Sequence, residues 1–269
     1  MKRLAWTLLA LAACTGTPPP EDPRAQGLPG LDEPSERLRE SDQAPGVDPV
    51  RLARTHLSQT DQEDHYVITL LREHWSALRD SAEGNLLLAQ AHARVVDTLD
   101  AVKDRKLHEQ QRNAGLIHAR RALALDPESG PARYWMGLLL LFVADAEQSY
   151  GRLKEALQVL DEAERRAPGV DEGGPARMKG RIYEETPGFP FLGSKEKAIE
   201  CFKRSLAVAP GRLRTRLWLA ETYARNRQPE LARAELERIL GTPVQGNHPR
   251  EDEDVRRQAQ ALREKLPPR

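Results

Sequence analysis

The chain has 269 residues, and its 41 Lys and Arg are offset by 41 Asp and Glu, so it lacks the basic excess that nucleic acids or anionic lipids select. Two cysteines, Cys14 and Cys201, are too few for a disulfide framework once Cys14 is taken up as described below. Beyond the N-terminal segments about 220 residues remain, enough for one sizeable domain or a repeat array.

Residues 1–13 read as an export signal. Lys2 and Arg3 form a positive start, Leu4 to Leu11 is apolar apart from Thr7, and Ala12 and Ala13 precede Cys14. The run is too short for a membrane-spanning helix, which needs about 20 apolar residues. Small residues followed by cysteine mark a bacterial lipoprotein processing site, and Cys14 is the expected lipid attachment. Two or three acyl chains anchor a protein stably, at about 0.8 kcal/mol per buried CH₂. Thr15, rather than Asp, follows the cysteine, which favours the periplasmic face of the outer membrane. An ordinary secretory signal with an incidental Cys14 is the simpler alternative.

Residues 14–50 read as a tether. Pro, Gly, Asp, Glu and Arg dominate, as in Pro18-Pro19-Pro20-Glu21-Asp22-Pro23, and the sparse apolar residues follow no period. Such a segment buries too little surface to offset chain entropy. Residues 51–269 are assigned to an all-α domain, with a clear helical pattern from about Asp61. Val67, Leu70, Leu71, His74, Trp75 and Leu78 fall on one face of a first helix. The longest apolar stretch beyond the signal, Met136 to Ala144, is far short of a membrane span.

Internal similarity sets the fold class. Three segments, Ile117 to Pro127, Leu157 to Pro168 and Ala198 to Pro210, each read as an amphipathic helix closed by proline. They resemble the second helix of a tetratricopeptide repeat, a unit of about 34 residues. Ala156, Ala198 and Ala232 match the small residue opening that helix. Leu160, Phe202 and Leu236 match the bulky residue four positions on. Ala163, Ser205 and Ile239 match the next contact, and Pro168 and Pro210 the closing proline. Gly180 with Tyr183, and Ala220 with Tyr223, match the small–aromatic pair of the first helix. Repeats are expected to end near 127, 168, 210 and 243, and a charged helix over 251–265 to cap a helical-hairpin solenoid.

Departures from the repeat locate candidate surfaces. Pro187 to Leu192 inserts a loop carrying Phe189 and Phe191. Tyr134, Trp135, Tyr183, Phe189, Phe191 and Trp218 are the candidate partner or ligand surface, with core packing the default for helical aromatics. Catalytic chemistry is not indicated. His56, His65, His74, His92, His108, His118 and His248 form no HExxH, and no GxSxG, Walker or dinucleotide motif occurs. No enzyme, cofactor or metal is expected, and Cys201 reads as a small buried hydrophobe.

A narrower resemblance rests on Tyr134-Trp135-Met136-Gly137, on Gly173-Gly174-Pro175 leading to Tyr183, on Pro187 through Ala198, and on Leu236 to Leu240. These are similar to the TatT family, the periplasmic T component associated with TRAP transporters. That resemblance implies a helical repeat protein with a pore or groove, a ligand-binding partner protein and a homo-oligomer. The expected function is a lipid-anchored protein-interaction module, an auxiliary of a TRAP-type solute transport system docking an extracytoplasmic solute-binding protein. Two alternatives stand beside it: a pilotin-like scaffold for a secretion, pilus or cell-wall machine, and a helical pore holding an apolar ligand.

Overall fold

Every regular element among the residues described by the computed structural model (46–57, 63–188, 190–243 and 248–267) is an α-helix. The expectations for the signal, Cys14 and most of the tether lie outside these residues, as does that for Phe189. The chain divides into two compact units, up to Arg152 and from Leu153 onward.

The first unit opens with α1 (Pro49–Leu57), which starts ahead of the position where the helical pattern becomes clear. Asp48 initiates it by accepting the Val50 and Arg51 amides. The face expected to form one first helix is split into α2 (Asp64–Glu73) and α3 (Trp75–Leu78). The break falls at His74, whose Nδ1 lies 3.0 Å from the Leu70 carbonyl. The apolar face survives the break. Val67, Leu70, Leu71 and Leu78 pack with Ala53 and Leu57 of α1 and with Leu87, Leu88, Ala91 and Val95 of α4 (Ala82–Thr98).

Helix α4 is capped by Ser81, which accepts the Gly84 amide, and pairs with α5 (Arg105–Leu125). Helix α6 (Gly130–Glu147) starts at Ser129, which accepts the Ala132 amide, with Pro131 in its first turn. It packs against both α4 and α5, and its apolar run Leu138 to Leu141 is buried. Among the described residues no helix is long and apolar enough to cross a membrane.

The second unit contains most of α7 (Tyr150–Arg166), the hairpin of α8 (Gly174–Glu185) with α9 (Lys195–Val208), that of α10 (Leu213–Arg225) with α11 (Pro229–Gly241), and α12 (Pro249–Lys265). The nine repeat-matched positions on α7, α9 and α11 are all fully buried. They lie at i, i+4 and i+7, one stripe of a helix. Proline ends α5 and α9. Asp126 and Ala209, directly before Pro127 and Pro210, leave the helical region with ψ of 88° and 78°, because proline disfavours α geometry in the residue ahead of it. Gly180 permits the tightest crossing, since a Cβ there would stand 2.5 Å from the Phe202 ring. Helix α12 closes the unit by burying Val255 and Ala259 on Leu213, Leu217 and Ala220 of α10 and on Leu236 and Ile239 of α11.

Candidate interaction site

Three cations, Arg177, Lys179 and Arg181, alternate along α8, and all three are buried. Buried charge is tolerated where it is paired, and each finds acids on this unit. Arg177 donates to the Asp171 and Glu172 carbonyls at 3.0 and 3.1 Å and pairs with the Asp171 carboxylate. It thereby holds a backbone turn in which Asp171, Glu172 and Gly173 all have positive φ, at 48°, 53° and 77°. Non-glycine residues reach that region at a cost of about 1 kcal/mol or more.

Lys179 pairs with Asp161 and, at 2.7 Å, with Glu164 of α7; Arg204 of α9 donates to Glu164 at 2.8 Å. Burial pushes Glu164 up, but hydrogen bonds and charge from Arg204 and Lys179 outweigh it and hold its carboxyl below the usual range. Burial likewise pushes Lys179 down, and Asp161 with Glu164 more than restore it. A cavity of about 470 Å³ opens here, lined by Asp161, Glu164, Arg165 and Lys179. Cys201 is buried beside it, and burial pushes its thiol up, away from thiolate, against the pull of Arg204 and Lys179.

Arg181 reaches across to α10. Its guanidinium lies 4.5 Å from the Trp218 ring centroid and donates to Glu184 at 2.8 Å, with Glu185 also paired. Thr222 and Arg225 of α10 complete the cluster on Glu184, the Thr222 hydroxyl donating at 2.8 Å. Helices α7 to α10 therefore present ion pairs set among aromatic faces. These pairs are largely buried and hold the four helices together, leaving the cavity at Lys179 as their opening to solvent.

The expected surface aromatics occupy different environments. Tyr134 and Trp135 meet edge to face at 4.8 Å and are 1% and 5% exposed, as core residues of the first unit. Trp218 is 7% exposed between Arg181 and Phe202. Tyr183 is partly buried beneath the Lys197 ammonium, at 5.4 Å. Phe191 stands 46% exposed on the inserted loop. Among the described members of the set, Phe191 keeps the exposure that contact with a partner requires. Sequence reasoning missed the cationic row of α8, since alternating Arg and Lys on a helix normally signals a solvated face. Its meaning lies in Glu164 and Thr222, which are distant in the chain.

The hairpins are similar to those in the crystal structure of a thermophilic tetratricopeptide-repeat protein from Thermus thermophilus. The TM-score is 0.58 at 23% identity, over 80% of this chain and 97% of that chain. The fold is tetratricopeptide-repeat-like. No family model matches the chain, and no curated protein does. Within this fold α8 and α10 are the first helices of their hairpins, and α9 and α11 the second.

Proposed function

We propose that this chain is a lipid-anchored protein-interaction module of the bacterial cell envelope, and that its partner is an extracytoplasmic solute-binding protein of a TRAP-type system. The observation that carries the interaction role is the repeat-like hairpin fold, which supplies an extended side-chain surface. The basic start, short apolar run and Ala-Ala-Cys14 support the anchor. The similarity to the TatT family at Tyr134 to Gly137 and at Pro187 to Ala198 supports the partner. Phe191 and the charged cavity at Lys179 are the contact features on the second unit.

In-cell crosslinking of the tagged full chain, followed by capture and mass spectrometry, tests this. Enrichment of a solute-binding protein is expected. Enrichment of secretion, pilus or wall-synthesis components in its place overturns the transport reading and leaves a scaffold. Changing Cys14→Ser moves the protein from the membrane fraction to the soluble fraction if the anchor is real.

A further inference from the structure

Two histidines face each other inside the first unit. His92 on α4 and His118 on α5 are 0% and 1% exposed, with ring planes 6° apart and centroids 5.7 Å apart. Side-chain amides fix their tautomers. The Asn85 amide nitrogen donates to the Arg79 and Ser81 carbonyls at 3.1 and 2.9 Å, so its oxygen is left to accept from His118 Nδ1 at 3.1 Å. The Gln111 oxygen lies 2.6 Å from His92 Nδ1 and accepts from it. Both rings therefore carry their proton on Nδ1, and neither Nε2 has a hydrogen-bond partner among the described residues.

A second proton on either ring has nothing to pair with. The charges that reach His92 are Arg72 and His65 of α2, and those that reach His118 are Arg121, Arg72 and His92 itself. Arg72 and Arg121 are cations that oppose a further positive charge. No acid is among the groups acting on either ring; Asp80 accepts from Arg121 at 2.8 Å and Asp64 pairs with Arg94 at 3.1 Å. Apolar groups also flank the pair, with Trp75 of α3 edge-on to His118 at 5.2 Å and Leu139 of α6 against Gly115 of α5. Nor is there room to yield, because a Cβ on Gly115 would already stand 3.0 Å from His92 Cβ. Burial is the first cause holding both rings neutral, His92 down to about 4 and His118 down to about 3.

We propose that His92 and His118 form an acid-sensitive latch between α4 and α5, closed while both stacked rings are neutral and opened when either takes up a second proton. The opened hairpin hydrates the rings and exposes the α4–α5 seam. A histidine that is neutral when closed and titrates near 6.5 when open favours opening roughly 30-fold at pH 5, and the pair roughly 1,000-fold. The second unit behaves differently at Lys179 and Arg212, since the carboxylates they pair with, Glu164 and Glu251, are held below the usual carboxylate range.

Amide hydrogen exchange on the full chain, corrected for intrinsic rates at each pH, tests the latch. Protection of α4 and α5 should fall at least tenfold from pH 7 to pH 5, while α9 and α11 keep theirs. The double variant His92→Gln/His118→Gln should lose this pH dependence. If that variant does not fold, histidine proton chemical shifts of the unmodified chain decide, with both rings expected to remain neutral until the α4–α5 amides lose protection. Protection that is independent of pH, earlier loosening of α9 and α11, a pH profile retained in the double variant, or rings that titrate within a protected hairpin would each overturn the proposal.

Discussion

A methyl group at position 180 has nowhere to go, because the Phe202 ring already occupies the space a Cβ would need. Gly180→Ala should therefore destabilise the protein by about 1–3 kcal/mol, read as a lower midpoint in urea with an unchanged slope. The opposite sign is expected at Arg227, just past α10, which holds φ of 56°. Arg227→Gly removes a left-handed non-glycine residue at a helix C-terminus and should raise stability by up to about 1 kcal/mol, measured the same way. Gly180 was legible in the sequence by its match to the repeat, whereas the left-handed backbone at Arg227 appears only in the structure. What Gly180 touches was not legible. The buried histidine pair was less accessible still, since His92 and His118 read singly as structural or solvated residues and their pairing arises where α4 crosses α5.

At the scale of elements, α12 shows how a charged helix is held. Its Glu251 carboxylate is gripped by Arg212 at 2.6 Å and Arg214 at 2.9 Å, and Arg212 also reaches Glu172 at 3.3 Å. Burial pushes Glu251 up, but the two guanidinium charges prevail and hold it at about 2. A carboxylate depressed in the folded state stabilises fully above its unfolded value near 4.3 and loses that contribution as pH falls toward 2. Glu251→Gln should cost about 1–3 kcal/mol at pH 7 and flatten the acid limb between pH 4.3 and 2 in a melting series. Sequence pattern placed a helix over 251–265, and in the structure its Val255, Ala259 and Leu262 pack on α10 and α11. The same kind of reasoning joined α2 and α3 into one helix. Periodicity records which residues face inward and is blind to a kink at His74 that leaves the inward face intact.

At the scale of the whole molecule, the proposed function rests on contact between the inserted loop and a partner. Phe191→Ser should leave the melting temperature within a degree or two, because exposed positions contribute little to stability. It should nonetheless weaken crosslinking of the captured partner several-fold, while a large drop in melting temperature would show that the ring is core. The repeat architecture was legible because its rules are local. Small residues where helices cross, a bulky residue one turn on and proline at the close each impose a steric demand within some 34 residues. The fully buried Ala156, Phe202 and Ile239 carry that demand into the structure. The candidate surface was legible only in part. Six aromatics look alike in a list, and tertiary packing alone placed Tyr134, Trp135 and Trp218 inside while leaving Phe191 in water. The sequence by itself determined the repeat-like hairpins and the proline-closed ends of their second helices, since these follow from backbone sterics and side-chain volume over one or two turns. The tertiary structure decided which charges are buried and paired on α8 and which histidines meet between α4 and α5, because electrostatic cost depends on groups brought close from far along the chain.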